Sequence, residues 1–237
     1  MEIKDLLTII IPCKDEEKYI YNTLQGIACQ IGVAGTKVII ADAHSTDNTI
    51  AEISQASVDF KNLDIELTDG GPVGYARNTG AMLADTPFLL FIDADCDLID
   101  SDILVNCLDN KLRYDVMTCK VRNSSSSWRA KFTYRCLTMV QRILPETFCT
   151  GCFFFISKKT FTNLGMFDEE AQHSEDYLLS RKIPKSRFKI INRRIETDDR
   201  RLKKMGYIPF LTLVIKNYLN RNNKEYFNND VGYWEGY

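Results

Sequence analysis

The sequence predicts an α/β fold with a mostly parallel central sheet flanked by helices, followed by a helical tail. Three observations predict it. Short apolar runs rich in β-branched residues alternate with segments of helical spacing four times between residues 6 and 92. The links between them are short and polar. The fourth run, residues 88–92, passes directly into Asp93-Ala94-Asp95-Cys96-Asp97. Strand and helix alternating through short links imply a parallel sheet with right-handed crossovers, so the polar turns fall on one edge, where open α/β sheets bind ligands.

The elements follow in order. Residues 6–11 form a β-rich run that stops at Pro12, and the turn Cys13-Lys14-Asp15-Glu16-Glu17 follows. Ile20, Leu24, Ile27, Ala28 and Ile31 recur at helical spacing. Residues 37–41 make the second strand and end in Asp42-Ala43-His44-Ser45, with Ser45 a candidate cap for the helix carrying Ile50 and Ile53. A third strand over residues 63–67 leads to Gly70-Gly71-Pro72-Val73-Gly74 and a helix holding Tyr75, Arg77, Asn78 and Met82. The glycine turn offers backbone N–H groups to a phosphate, though such turns are common. Residues 88–92 then read as a strand buried on both faces.

Alternation puts Asp93 and Asp95 on one side of an extended backbone. They form either a solvated acidic loop or the seat of a divalent cation. Mg²⁺ or Mn²⁺ fits the second reading, because such ions take one or two carboxylates together with substrate phosphates and water.

Bulk properties narrow the alternatives. A chain of 237 residues with 45% hydrophobic residues suits one large domain, or one domain with an appendage. A net charge of −2 argues against a general nucleic-acid binder. The eight cysteines are irregularly spaced and fall mostly on apolar stretches, which points to a reduced, cytoplasmic setting. Cys149-Thr150-Gly151-Cys152 is a lone CxxC without a second pair or a nearby His, so zinc or redox chemistry is disfavoured. The charged start, residues 1–5, opens into a strand and is no signal peptide. No apolar run approaches membrane-spanning length.

Four pieces in order resemble the nucleotide-binding half of family 2 glycosyltransferases. They are Ile9-Ile10-Ile11-Pro12-Cys13-Lys14-Asp15-Glu16-Glu17, residues 42–49, Gly74-Tyr75-Ala76-Arg77-Asn78-Thr79-Gly80 and Phe91-Ile92-Asp93-Ala94-Asp95. The resemblance implies a Rossmann-like domain of the A-type glycosyltransferase fold, a nucleotide-diphosphate sugar donor and Mn²⁺ or Mg²⁺. By position, Pro12, Glu16 and Asp42 would hold base and ribose, and Arg77 would lie against the base or diphosphate. Asp93 would face ribose or metal, and Asp95 would bind the metal. Where the family usually has Asp-Asp-Gly-Ser, this chain has Asp42-Ala43-His44-Ser45. The lost carboxylate leaves base specificity open. His44 reads as an ordinary loop histidine before it reads as a ribose contact.

Beyond Asp97, residues 103–108 suggest a helix, 115–121 a strand and 123–127 a flexible polar loop. Trp128, Phe132, Cys136, Met139, Val140 and Ile143 form an apolar stripe at helical spacing. It is read as core-facing, ahead of an acceptor groove or a membrane-facing surface. A strand over residues 153–157 precedes a helix ended by Gly165 as C-cap.

Phe167-Asp168-Glu169 and then Glu175-Asp176 extend the resemblance, which makes Asp176 the catalytic base of inverting transfer, with Glu175 beside it. On their own, these two residues read as decoration of a helix N-terminus. A sugar hydroxyl is a poor nucleophile and needs a base. A carboxylate at a helix N-terminus is stabilised as the anion, so Asp176 is a weak base unless burial or Glu175 raises its pKa.

Residues 193–204 concentrate basic side chains. They form either a solvated face or a segment closing over the diphosphate through Arg200 or Arg201, with Asp198 or Asp199 near the metal. Residues 206–220 are apolar and aromatic. They could cap the domain, dimerise, or, with residues 193–220 as a whole, lie against the inner face of a membrane. The end of the chain, polar and rich in Asn and Tyr, is expected to be loosely ordered.

The expected organisation is a catalytic domain over residues 1–205, with a nucleotide-binding half at 1–100 and an acceptor-binding half at 101–205, and a helical tail at 206–237. The expected function is inverting, metal-dependent transfer from a UDP-sugar to a hydroxyl of a glycan, lipid-linked or protein acceptor. The alternatives are a sugar nucleotidyltransferase, which usually carries a basic glycine-rich loop where this chain has an acidic one, and a non-catalytic nucleotide-sugar-binding relative. The oligomeric state stays open.

Overall fold

The computed structural model describes residues 2–124 and 127–229. An eight-stranded sheet runs through it: β1 (Leu7–Cys13), β2 (Thr36–Asp42), β3 (Leu63–Asp69), β4 (Phe88–Ile92), β5 (Cys96–Leu98), β6 (Val116–Asn123), β7 (Phe153–Ser157) and β8 (Phe188–Thr197). Their order is β3-β2-β1-β4-β7-β6-β8-β5. The first four strands pair parallel, as strand–helix alternation requires. Strand β7 then enters antiparallel between β4 and β6, and β5 runs antiparallel along β8.

Period-2 alternation divides the core between the two faces of the sheet. Leu7, Ile9 and Ile11 of β1, with Leu90 and Ile92 of β4, pack toward α1 (Ile20–Ala28), α2 (Thr49–Asp59) and α4 (Ile103–Asn110). Ile10, Leu89 and Phe91 face the other way, toward α3 (Val73–Leu83), α6 (Lys158–Asn163) and α7 (Glu175–Ser180). The Phe91 ring meets Phe161 at 5.1 Å and Phe167 at 4.9 Å between centroids. Gly165 follows α6 at φ +87°, and its N–H reaches Thr162 O at 3.0 Å, so it ends the helix as expected.

Strands β5 and β8 are absent from the sequence reading. In β8 the buried residues Phe188, Ile191, Ile195 and Thr197 lie three, four and two positions apart, and its register against β6 shifts between Thr118 and Lys120, so no period-2 pattern marks it as a strand. Pairing Cys96 with Thr197 carries the chain that follows β8 back to Asp95.

Four further α-helices lie among the described residues: α5 (Trp128–Ile143), α8 (Arg200–Met205), α9 (Tyr207–Leu219) and α10 (Lys224–Asn228). Phe227 of α10 is buried against Ala171 and Tyr177, so this part of the tail folds back on the domain. The core-facing reading of the α5 stripe is corrected. Trp128, Phe132, Met139 and Ile143 are exposed, and α5 is anchored instead through Ala130, Thr133, Leu137 and Gln141 on its opposite face. Among the described residues no helix is long and apolar enough to cross a membrane. The loose ordering expected for the chain end concerns residues 230–237, which lie outside the described residues, as do Ser125 and Ser126 of the polar loop.

Candidate active site

The strand ends at one edge of the sheet carry the site. The turns after β1 and β2 lock together first. Asp42 accepts from Ser45 N at 3.0 Å and from Ser45 Oγ at 2.5 Å. Asp15 accepts from Thr46 N at 2.6 Å, while Glu16 N donates to Thr49 Oγ1 at 2.7 Å. Ser45 therefore does not cap α2, whose N-cap is Asn48; it is held by Asp42, three residues earlier at the end of β2. Asp15 and His44 both sit in the left-handed region, at φ 51° and 57°. Such backbone persists only where surrounding bonds over-determine it, and the cross-links between the two turns supply them.

Arg77 of α3 is the largest fully buried side chain at the site. It donates through Nη2 to Asp93 at 2.7 Å and through Nη1 to Glu175, and its guanidinium stands 5.4 Å from the centroid of the Phe167 ring. Burial alone would lower its pKa, but Glu175 and Asp93 outweigh burial and raise it. Arg77 thus ties the end of β4 to the start of α7. Gly151 makes this possible, because a Cβ there would overlap the guanidinium. Asn78 adds a second tie, donating to Phe167 O at 3.0 Å and Glu169 at 2.8 Å.

Asp176 opens α7, just after Ser174 at φ 58°. Its carboxylate accepts from Gly151 N at 2.5 Å and Tyr177 N at 2.6 Å. Burial, then the charge of Glu175, pushes its pKa up to about 7 against the pull of Arg77 and those two N–H groups. The condition for useful basicity at a helix N-terminus is thereby met.

Arg200 closes the opposite side. Its Nη2 lies 2.9 Å from both oxygens of Glu16 and 3.2 Å from Asp95 Oδ2, with the guanidinium 4.3 Å from the centroid of the Tyr19 ring. Burial pushes Glu16 up to about 7 despite this partner, with Asp95 and Asp93 adding to the rise.

A chamber opens between these groups. Arg77, Asp93, Asp95, Glu175, Asp176 and Arg200 line its polar end, with Asp198 and Thr150. Leu137 and Leu144, Phe148, and Phe210, Leu213 and Val214 of α9 form an apolar wall. Six of the ten side chains singled out from sequence therefore meet at one cavity. Glu16 reaches its rim only through Arg200, while Pro12, paired with Ala41 inside the sheet, and Asp42 lie away from the lining. Arg201 lies in α8, and its side chain is outside the described residues. Asp199 is fully buried and holds Lys203 at 2.6 Å.

Sequence reasoning missed Gly151, Tyr19 and the inner face of α9. Gly151 carried a faint signal as a small residue just before an apolar strand. Nothing local marked the other two, whose places depend on the return of the chain along β8.

The donor set also bears on metal. Among the described residues no three His, Cys, Asp or Glu side chains form a ready-made cage. Asp93 and Asp95 line the same cavity, and each keeps one oxygen clear of its arginine partner, Asp95 Oδ1 receiving only Cys96 Sγ at 3.7 Å. That arrangement fits Mg²⁺ or Mn²⁺, which completes its octahedron with phosphate and water. All eight cysteines are unpaired thiols, including Cys149 and Cys152.

A parallel strand-edge site with paired acidic turns, a buried arginine brace and a carboxylate on a helix start defines a sugar-transfer type of α/β domain. Residues 8–165 match the model described as glycosyl transferase family 2, and the chain belongs to that family. It is 34% identical over 100 residues to the poly(ribitol-phosphate) beta-N-acetylglucosaminyltransferase TarS of Staphylococcus aureus, a match covering 41% of this chain and 17% of TarS. Among solved structures, S. aureus TarS 1-349 superposes with a TM-score of 0.63 at 19% identity, covering 90% of this chain and 66% of that one. The mannosyltransferase PcManGT from Pyrobaculum calidifontis, solved with GDP-Man and Mn²⁺, superposes with a TM-score of 0.66 at 18% identity, covering 88% of this chain and 64% of that one. The fold is thus that of A-type glycosyltransferases. The chain spans about a sixth of the length of the curated relatives it matches.

Proposed function

We propose that the chain transfers a sugar from a nucleotide-diphosphate sugar, UDP being the favoured nucleotide, to an acceptor hydroxyl with inversion at the anomeric carbon. The observation that carries this reading is the meeting of Asp93, Asp95 and Arg200 with Asp176 at one chamber in a family 2 chain. Residues 1–100 supply the donor side and residues 101–205 the acceptor side, with the tail from 206 completing the chamber wall. In the reaction, Asp176 removes the proton from the acceptor hydroxyl as its oxygen bonds to the anomeric carbon. The bond from that carbon to the diphosphate oxygen breaks, and the nucleoside diphosphate leaves with the electron pair.

Glu175 raises the basicity of Asp176, while Arg77 and the Gly151 N–H fix the geometry. Arg77 is a positioning residue in this reading, since both ends of its guanidinium are engaged by carboxylates. Asp95, with Asp93 beside it, would hold Mn²⁺ or Mg²⁺, which supplies charge neutralisation at the leaving diphosphate. Arg200, together with Arg201 of the same helix, serves the diphosphate, and the turns carrying Pro12, Glu16 and Asp42 serve base and ribose. The unpaired cysteines support a cytoplasmic setting.

The test is a thermal-shift series with nucleoside diphosphates and their sugars, with and without Mn²⁺, because a ligand that binds only the folded state raises the Tm. A Mn²⁺-dependent rise with one nucleotide is expected. No rise with any nucleotide would defeat the donor-site reading.

A further inference from the structure

The charge and exposure of α5 and α9 single out a second surface, apart from the catalytic chamber. Along α5, Trp128, Phe132, Met139 and Ile143 stand 59–71% exposed at intervals of four, seven and four residues, which aligns them on one face. Helix α9 packs against α5 and is mostly apolar, with Thr212 and Lys216 among its exposed residues. One side lines the chamber through Phe210, Leu213 and Val214, while Ile208, Ile215 and Leu219 on the other side are 60–79% exposed. Large apolar side chains gathered on one exposed surface of two packed helices mark an interaction site.

The charge pattern names the cover. Residues 128–143 and 200–221 together contain ten Lys and Arg and no Asp or Glu, in a chain whose net charge is −2. Lys131, Arg135 and Arg142 flank the α5 stripe, and among the described residues none of the three makes an ion pair. Exposed aromatic and aliphatic side chains bordered by unpaired cations match a surface that is apolar within and anionic at its boundary.

We propose that the outer faces of α5 and α9 dock on an anionic lipid bilayer. The apolar residues enter the boundary between head groups and acyl chains, and the flanking Lys and Arg bind lipid phosphates. Because the inner faces of the same two helices wall the chamber, docking holds the chamber about one helix diameter, roughly 10 Å, from the membrane surface. Combined with the sugar-transfer reading, on which this last step rests, the geometry favours an acceptor carried by a lipid.

Co-sedimentation with vesicles of phosphatidylcholine alone, or mixed with phosphatidylglycerol, tests the docking. Binding is expected only to the mixed vesicles, weakening as salt rises. K131Q/R135Q/R142Q should lower the partition coefficient roughly a hundredfold, at about 1 kcal/mol for each lost cation. W128S/F132S, which changes two exposed side chains, should abolish binding to the same vesicles. Binding that ignores lipid charge, or survives both variants, overturns the proposal. So does a stable dimer that W128S/F132S converts to monomer in the absence of lipid, which would assign the face to a second copy. The nucleotide-induced Tm shift, measured in parallel on wild type and variants, reads the donor site separately, since none of the substituted residues lines it.

Discussion

Arg200 Nη2 lies 3.2 Å from Asp95 Oδ2, across 105 positions of sequence, while also holding Glu16. This guanidinium neutralises carboxylates at the place proposed for the cation. Cation and Arg200 therefore compete for Asp95 until a diphosphate arrives to occupy both. R200Q should tighten Mn²⁺ binding without nucleotide by about tenfold, a charge effect of about 1.4 kcal/mol. The same variant should weaken UDP binding, because a charge-assisted hydrogen bond contributes about 1.5–3 kcal/mol. Mn²⁺ titration followed by electron paramagnetic resonance, alone and with UDP, checks the opposite signs.

The raised pKa of Asp176 predicts two pH dependences. As a base it works ionised, so kcat should rise with pH and level off above about 7. For stability the sign is reversed. A carboxyl whose folded pKa lies above its unfolded value contributes stability that is full below about pH 4 and is lost as pH rises toward about 7. D176N removes that loss. It should abolish transfer, keep nucleotide binding, and raise the Tm more at pH 8 than at pH 4. Thermal melts at the two pH values, beside a transfer assay, test both halves, and an equal Tm change at both would remove the case for a perturbed base.

These carboxylates also show what a sequence discloses. Asp93 and Asp95 announced themselves because a doubly buried strand ends at them, and the first four strands were legible for the same reason: each is a β-branched run closed by a polar turn. Glu175 and Asp176 were visible through the family's motif, but their pairing with Arg77 and Gly151 was not, since three distant segments have to meet. Strand β8 was hidden because the irregularity in its pairing with β6 breaks the period-2 pattern and its exposed positions are basic. The stripe on α5 was legible as a helix but misassigned as core, since periodicity reports that one side is apolar and is silent on what lies against it.

The brace at Arg77 gives a third prediction. R77M leaves Asp93 and Glu175 without their shared cation, and breaking a buried pair in this way is destabilising by about 3–5 kcal/mol. G151A acts on the same brace from the other side, because its new methyl group meets the guanidinium. Overpacking of this kind amounts to about 1–3 kcal/mol. If Arg77 also positions Asp176 through the loop at Gly151, G151A should reduce kcat by more than its stability loss explains, with KM for the donor little changed. Urea unfolding and steady-state kinetics on the same preparations separate the two effects.

Phe91 tests the packing beneath the site, on the face of the sheet that carries α3 and α7. It sits two residues before Asp93, and its ring packs beneath the chamber in a cluster with Phe154, Phe161 and Phe167. Truncation to alanine removes a fully buried ring and should destabilise by about 3–5 kcal/mol, through lost transfer energy and a residual cavity. Phe167 is also the residue whose carbonyl Asn78 holds, and it faces the Arg77 guanidinium. Disorder spreading from the Phe91 cavity would therefore reach the brace by way of Phe167. F91L, which keeps most of the volume, should lose less stability and leave the kcat–pH curve of the wild type in place, whereas F91A should flatten it if the cluster sets the position of α7. Kinetics at fixed folded fraction, corrected by parallel urea melts, decide whether the aromatic cluster only stabilises the sheet or also holds the site in register.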